Sequence, residues 1–340
     1  DLLIAIWDGA PPELRGGTAQ IVEEAQRVGI PVIWINPNDP QEAKVLIGFR
    51  EDGLSLKDLG DYLRAQLVIS DSRQARQLET YFSETRDRSP RTGLFTLFCH
   101  VVNLKVPNLQ LKSSNHLERV KGRWRDSWIV PSGAVADPVV MGIISKLEEG
   151  VLPSYAWADN LANYYGAVFR SSFLFTYLLS PVAVLMALLS VLDKSSHRMV
   201  WAEMAIIFVI GAVTLWAAKR HWHQRWLEYR LLAEYLRQFR FLWLLGQKSP
   251  SSELPAHYGD DDPRNTWVAW LVHAVERNAG LADAQLCDDY LRKVKTILTT
   301  EVNTQIDYHE KKSHDYHVVH HRLHQIGFTL FFLTFLACIM

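Results

Sequence analysis

Residues 172–192 read SFLFTYLLSPVAVLMALLSVL, a run of 21 residues without a charged side chain. At 1.5 Å per residue, a helix of this length rises about 31 Å, which matches the hydrocarbon thickness of a bilayer. The sequence therefore predicts a membrane-spanning helix at these positions.

A second apolar run follows a polar turn of six residues. It covers residues 199–218 and contains one acid, Glu203. Two spans joined so closely form a hairpin, and the outer ends of a hairpin lie on the same side of the bilayer. Arg170 and Lys219 flank those outer ends. Because cytoplasmic ends of spans are enriched in Lys and Arg, the pattern places both ends in the cytoplasm.

Long helical patterns continue after the hairpin. We expect the second span to continue as a helix through residues 226–245, with an arginine-rich face beside one apolar stripe that comprises Leu227, Leu231, Tyr235, Phe239 and Leu242. Another helix is predicted over residues 282–324, and it leads into the apolar residues 326–340. We expect this last run to begin a third span that the end of the sequence cuts short.

The first 36 residues have a different character, with two short apolar runs flanking one helical pattern. Such runs between turn residues predict buried strands. In the helix, about residues 18–28, core positions are expected at Ile21, Val22, Ala25 and Val28. The sequence thus predicts an α/β unit, with its upstream part missing, ahead of an all-helical membrane region.

Five residues form a candidate ligand site in this unit. Asp8 and Gly9 directly follow the first strand, where open α/β sheets bind their ligands, and Gly16, Gly17 and Thr18 begin the helix. Glycines let the backbone approach an anion, and Thr18 has a hydroxyl for a phosphate or a sugar. The alternative is a flexible loop before an ordinary helix cap.

Glu203 and a histidine stripe are the other candidate positions. An acid within a span is a default candidate for pore lining, and the alternative is an acid near a helix end that stays in contact with water. Four histidines share a helical face and are weak candidates for zinc or copper binding: His314, His317, His321 and His324. Without neighbouring cysteines or carboxylates, packing against a helix or lipid headgroups is favoured, and no metal is predicted.

Composition excludes several classes of protein. A net charge of −1 provides no basic field for nucleic acid. Three widely spaced cysteines argue against a disulfide framework and a zinc site, and they fit a reducing compartment. Residues 41–155 are mixed, with helices predicted at 72–88 and 139–149.

The pattern DLLIAIWDG…GGTAQIVEEAQRVGIPVIWI resembles the carboxyl-terminal half of a SLOG domain, a Rossmann-like nucleotide-binding superfamily. The resemblance implies a sensor of nucleotide-derived signals over residues 1–150. Related hydrolases and deoxyribosyltransferases have a glutamate two or three residues after the threonine, where this chain has Gln20 and Ile21. Neither residue replaces a catalytic carboxylate, so binding is favoured over catalysis.

Residues 157–325 resemble the SLATT family through the hairpin and the segment YRLLAEYLR at residues 229–237. This family consists of two-span effector domains coupled to nucleotide-sensing partners. The resemblance implies a homo-oligomer that permeabilises the bacterial inner membrane in antiphage defence, with the bilayer and a nucleotide-derived molecule as partners. The alternatives are a membrane-tethered nucleotide or nucleoside hydrolase or transferase, and a non-catalytic membrane scaffold.

Overall fold

The chain forms two compact units, Asp1–Glu79 and Thr80–Met340. The structure is a computed structural model that describes residues 2–11, 17–27, 30–46, 60, 64, 67–69, 71–85, 94–102, 116–128, 138–192, 197–247, 266–280, 282, 285 and 287–339. The units divide at residue 79, whereas the sequence predicted that the N-terminal domain extends to residue 150. Residues 94–150 belong to the second unit because their helices pack against its long helices.

The first unit contains a small mixed sheet in the order β1-β2-β3. Strand β1 (Leu3–Ile6) pairs in parallel with β2 (Val32–Asn36), and helix α1 (Thr18–Arg27) lies between them in the chain. A tight turn then leads to β3 (Asp39–Leu46), which pairs antiparallel with β2. The predicted strand–helix–strand order of the first 36 residues is confirmed.

The core of the first unit joins one face of α1 to the sheet. Val22 and Ala25 of α1 and Val32 of β2 are buried there. The prediction that Ile21 belongs to this core is wrong, because its side chain is 53% exposed. Successive residues of a helix point about 100° apart, so the face that buries Val22 turns Ile21 outward. Val28 lies outside the described residues.

The second unit is helical, which confirms the predicted all-helical carboxyl-terminal region. Helix α2 begins in the first unit and ends in the second. The helices are α2 (Ser72–Ser83), α3 (Leu94–Val102), α4 (His116–Trp128), α5 (Pro138–Gly150), α6 (Leu152–Leu192), α7 (Arg198–Lys219), α8 (Trp222–Leu244), α9 (Trp267–Ala279) and α10 (Asp288–Ile339).

Two of these helices, α6 and α7, are long and apolar enough to cross a membrane. Helix α6 runs without a break for 41 residues, and the predicted span 172–192 is its carboxyl-terminal half. Its amino-terminal half is core, with Ala158 and Leu161 fully buried. One helix therefore combines a packed half with an apolar half that carries exposed side chains such as Phe173.

Helix α7 packs on α6 through one narrow stripe, and none of its residues is buried. Half-buried positions recur at steps of four and three residues, with Ala202 half-buried beside Glu203. These positions are Met199, Glu203, Ile206, Ile210, Val213 and Ala217. This spacing is the seam of a two-helix coiled coil. The remaining faces of α7 are exposed.

The predicted continuation of the second span into the next helix is wrong. Helix α7 ends at Lys219, and His221 adopts a left-handed conformation with φ of 51° before α8 begins at Trp222. A left-handed residue cannot continue a right-handed helix. The break lets α8 pack along α6 instead of following the axis of α7.

The apolar stripe predicted for α8 is also wrong, because α8 is a central helix with neighbours on several sides. It packs against α6 and α9, and only Phe239 of the predicted stripe is buried. The buried residues are Tyr229, Leu232, Ala233, Leu236, Phe239, Arg240, Trp243 and Leu244. The rule for a surface helix with one apolar face does not apply to a helix enclosed in this way.

Helix α10 runs parallel to α6 with a constant offset. Arg170 donates from Nη1 to the hydroxyl of Tyr316 at 2.8 Å, and the Tyr177 hydroxyl donates to the carbonyl oxygen of Leu323 at 3.3 Å. Both pairs are 146 residues apart in the chain. The same offset places the end of α10 beside the apolar half of α6.

Gly166 sets the closest approach of α6 and α8. A Cβ atom at this position would lie 2.8 Å from Nε1 of Trp226. A larger side chain would therefore push the two helices apart. Gly142 on α5 has no neighbouring atom within 4 Å of the same added carbon.

We expect Gly166→Leu to destabilise the protein by about 1–3 kcal/mol, since overpacking a tight contact forces backbone shifts. Gly142→Leu is the matched control and should leave stability unchanged or raise it, because leucine favours a helix more than glycine does. Thermal unfolding followed by circular dichroism measures both. Equal melting temperatures for the two variants would contradict the close approach.

Candidate functional site

The predicted ligand loop begins with a tight turn after β1. The backbone N–H of Ala10 donates to Oδ1 of Asp8 at 3.0 Å, and Gly9 has φ of +86°. Trp7 closes the turn by donating from Nε1 to the carbonyl oxygen of Ala10 at 2.9 Å. Asp8 and Gly9 are both exposed at the carboxyl end of the strand.

Trp34 of β2 supports this turn from the neighbouring strand, and no local pattern in the sequence indicated its role. Its Nε1 donates to the carbonyl oxygen of Trp7 at 2.7 Å, and the two indole rings have centroids 5.9 Å apart. A Cβ atom at Gly9 would lie 3.4 Å from the Trp34 ring. Position 9 thus requires a left-handed backbone conformation and leaves little room for a side chain. Glycine meets both requirements because it has no Cβ atom.

The second half of the predicted site lies at the start of α1. Thr18 is the first residue of the helix, and Gly17 just before it accepts a hydrogen bond from the N–H of Ile21 at 3.2 Å. Both residues are exposed. Gly16 lies outside the described residues. The first turn of α1 contains no acidic side chain, and Gln20 is exposed.

Glu203 lies on the seam of the helix pair and not on the outer face of α7. It is the sixth residue of the helix and is half-buried on the side that faces α6. In the part of the chain that the structure describes, it has no hydrogen bond or ion pair. Glu203 therefore belongs to the seam between two apolar helices, and its role in lining a pore or in interhelical pairing stays a prediction.

The four histidines His314, His317, His321 and His324 are exposed on α10. Across the described ranges, no group of three or more His, Cys, Asp and Glu side chains is arranged to hold a metal ion. The histidine stripe therefore presents single imidazoles to its surroundings.

A polar cavity of about 630 Å³ lies among α4, α6, α8 and α10. Four arginines and two carboxylates line it, and these are Arg119, Arg123, Arg230, Arg237, Asp159 and Glu234. No local pattern in the sequence predicted this site. Its lining carries two more positive than negative charges.

Asp159 of α6 is the buried acceptor at the cavity wall, with a side chain only 10% exposed. His116 of α4 contacts its Oδ2 through Nε2 at 3.2 Å, and Asn163 donates to the same oxygen at 3.1 Å. Arg230 of α8 lies 3.5 Å from the other oxygen. This carboxylate therefore joins α4, α6 and α8.

The arginines of α8 form a series of ion pairs along the helix. Arg230 pairs with Glu234, and Arg237 donates from Nε to the same carboxylate at 2.8 Å. Arg240 then pairs with Glu301 of α10 at 2.8 Å. The arginine-rich face noted in the sequence is thus an internal face that meets carboxylates.

Arg240 is the most buried of these cations, with 3% of its side chain exposed. Its guanidinium lies over the rings of Trp124 and Phe241, at 4.7 and 4.4 Å from their centroids. Burial lowers the pKa of Arg240 and the Glu301 carboxylate opposes that shift. Arginine keeps its proton in proteins, so the pair is a buried charge pair.

Helix α4 is held in place by contacts on the side away from the cavity. Arg125 donates two hydrogen bonds to Glu148 of α5, at 2.5 and 2.7 Å. These bonds lower the pKa of the Glu148 carboxyl. On the cavity side, Arg119 and Arg123 are exposed, and neither has an ion pair or hydrogen bond with any described residue.

A second buried polar group joins the end of α2 to α6 and α8. The hydroxyl of Tyr165 donates to Glu84, and Arg225 donates from Nη1 to Glu84 at 2.7 Å and to the Tyr165 oxygen at 2.9 Å. Tyr81 and Tyr229 pack beside it with ring centroids 5.4 Å apart. Burial raises the pKa of Tyr229, so its hydroxyl stays protonated at neutral pH.

Two signals in the sequence pointed toward the cavity. Arg119 and Arg123 are four residues apart, which places them on one face of a helix. The cluster of Arg and Trp over residues 222–243 favours anchoring at the membrane surface when it is interpreted from the sequence alone. That interpretation is wrong for Trp243, which is buried and donates from Nε1 to the carbonyl oxygen of Gly280 at 2.8 Å.

Comparison with known proteins returned no family model, curated protein or solved structure that matches this chain. The SLOG and SLATT resemblances therefore rest on the motifs themselves.

We expect Arg240→Met to destabilise the protein by about 3–5 kcal/mol, because it leaves the Glu301 carboxylate buried without its main partner. The double variant Arg240→Met with Glu301→Leu should recover most of that loss, since both charges are then absent. Chemical denaturation of the four members of this cycle measures the coupling. Additive effects of the two substitutions would show that the pair does not interact.

Proposed function

We propose that this protein is a membrane-bound sensor–effector. Its N-terminal α/β unit binds a nucleotide or nucleotide-derived molecule in the cytoplasm, and its oligomerised apolar helices permeabilise the bacterial inner membrane, in antiphage defence. The observation that carries the proposal is the exposed apolar surface of α7, together with the end of α10.

Helix α7 exposes large apolar side chains on every face except its seam with α6. Phe208 is 75% exposed and Leu215 is 72% exposed, and no residue of the helix is buried. Soluble monomers rarely expose a continuous apolar surface of this kind. Lipid or further copies of the same helix would cover it. Trp201 and Trp216 lie near its two ends, where membrane helices carry interfacial aromatics.

The end of α10 supports a third span. Phe328, Phe331 and Ile339 are exposed there, as in α7. The register with α6 brings this apolar segment beside the predicted span 172–192. Helices α6 and α10 would then enter the bilayer from the same side, with α7 returning between them in the chain.

The flanking charges support one orientation. Arg170 lies just before the predicted span of α6, and Lys219 and Arg220 lie at the carboxyl end of α7. These are the ends of the two spans nearest to the rest of the helical unit. Positive residues are retained on the cytoplasmic side, so the polar part of the unit would face the cytoplasm. A nucleotide sensor needs that compartment, because nucleotide signals are produced there.

The loop geometry supports ligand binding by the first unit. A positive-φ glycine, a supported turn and the start of a helix follow a parallel strand. Exposed N–H groups at such a position attract phosphate. Binding can act on the membrane helices only if the ligand binds one arrangement of the protein more tightly than another.

The membrane topology is tested with single cysteines in a variant whose Cys99, Cys287 and Cys338 are replaced by serine. A membrane-impermeant maleimide should label His197→Cys from the periplasmic side of intact inner membranes, because position 197 lies in the hairpin turn. Gln247→Cys is the matched exposed control on the opposite side and should react only after lysis. Labelling of both positions in intact cells would exclude the hairpin topology.

Ligand binding is tested with Gly17→Glu, which adds a negative charge beside the first turn of α1. We expect at least tenfold weaker binding of NAD or adenosine monophosphate and loss of ligand-dependent dye leakage from vesicles, since the charge repels phosphate. Gln26→Glu adds the same charge at the far end of α1 and should change neither measurement.

Equal binding and leakage by both variants would refute the role of this loop. Release of free base from either probe by the wild-type protein would instead support the alternative of a membrane-tethered hydrolase. Binding without any effect of ligand on leakage would contradict the effector half of the proposal.

A further inference from the structure

We propose that the cavity among α4, α6, α8 and α10 binds a soluble organic phosphate of about nucleotide size. This site is separate from the N-terminal loop and goes beyond the proposed function. It rests on charge, volume, donor chemistry and distance from the apolar spans.

The charge of the lining is unevenly distributed. Arg230 and Arg237 lie against Asp159 and Glu234, so the carboxylates of the wall already have cationic partners. The guanidinium groups of α4 have no such partner among the residues that the structure describes. Arg119 and Arg123 therefore give one wall of the cavity a positive charge that an anion would neutralise.

Arginine matches phosphate in geometry as well as in charge. Its planar guanidinium presents a fork of N–H donors to two phosphate oxygens. Arg119 and Arg123 are one helical turn apart, so both can bind the same phosphate group or two adjacent ones. A lysine pair would supply charge without this fixed geometry.

The volume and the neutral lining residues indicate a ligand larger than inorganic phosphate. A cavity of about 630 Å³ falls within the range of small-molecule sites. Asn160, Asn163 and Gln305 line it with amides, and Tyr155 and Tyr308 line it with aromatic rings. Side-chain amides can form hydrogen bonds with sugar hydroxyls and with the edge of a nucleobase. Aromatic rings can stack on the face of a planar base.

The distance from the spans separates this site from lipid headgroups. Asp159 precedes the predicted span by 13 residues on the same helix, a rise of about 20 Å. The interfacial zone of a bilayer extends only about 5–8 Å beyond the hydrocarbon on each side. The cavity therefore lies beyond the reach of headgroups, and a soluble phosphate compound fits its position.

The test is calorimetric titration of the full-length Gly17→Glu protein, in which nucleotide binding by the N-terminal loop is blocked. It is done in zwitterionic nanodiscs at constant ionic strength, with pyrophosphate and adenosine diphosphate as probes. We expect the affinity for both probes to be at least tenfold weaker in the double variant Arg119→Gln/Arg123→Gln, because each lost guanidinium group removes charge-assisted hydrogen bonds. Arg292→Gln is the control at an exposed arginine of α10 outside the cavity, and it should leave the affinity within twofold. Unchanged thermal unfolding of the double variant confirms that the fold is intact.

Two further titrations distinguish phosphate binding in this cavity from binding by the N-terminal loop and from binding to lipid headgroups. Gly17→Glu should leave pyrophosphate binding unchanged, which distinguishes the cavity from the N-terminal loop. Nanodiscs that contain phosphatidic acid should not compete with pyrophosphate, whereas competition would assign the arginines to lipid headgroups and overturn the proposal. Equal affinities of the Gly17→Glu protein with and without the two arginine substitutions, or no heat of binding at millimolar probe, would also overturn it.

Discussion

The continuity of α6 is the constraint on which the rest of the helical unit depends. Its first half is buried in the core and its second half carries exposed apolar side chains, with no break over 41 residues. Only Pro181, which lacks an N–H donor, interrupts the backbone hydrogen bonds of this helix, so the packing of Leu161 and its neighbours sets the direction of the apolar half up to that residue. The seam with α7 and the register with α10 both follow from that direction.

Charge burial provides the second constraint. Helix α8 carries arginines into the interior, and a buried guanidinium is tolerated only with a carboxylate partner. Three carboxylates meet three arginines of α8: Glu84, just after α2, meets Arg225, Asp159 of α6 meets Arg230, and Glu301 of α10 meets Arg240. Such pairs add little net stability, but each disfavours arrangements in which its partner is absent. They therefore define how α2, α6 and α10 are placed around α8.

Local patterns in the sequence predicted the elements whose surroundings are simple. The uncharged run at 172–192, the second run at 199–218 and the strand–helix–strand order of the first 36 residues depend on composition and periodicity alone. The same reasoning failed for Ile21 and for the stripe on α8. Rotation of a helix about its own axis depends on what it packs against, and an enclosed helix such as α8 has no single apolar face.

The sequence by itself determined the apolar hairpin and the α/β character of the amino terminus. It also determined the turn residues Asp8 and Gly9 and the start of α1 at Thr18. Only the tertiary structure placed Arg119 and Arg123 in one cavity with Asp159 and Glu234. Only the tertiary structure also showed that the helix is interrupted at His221. The physical reason is separation in sequence. Hydrophobic runs and turn residues act over a few neighbours, whereas the cavity collects side chains from helices that lie more than a hundred residues apart.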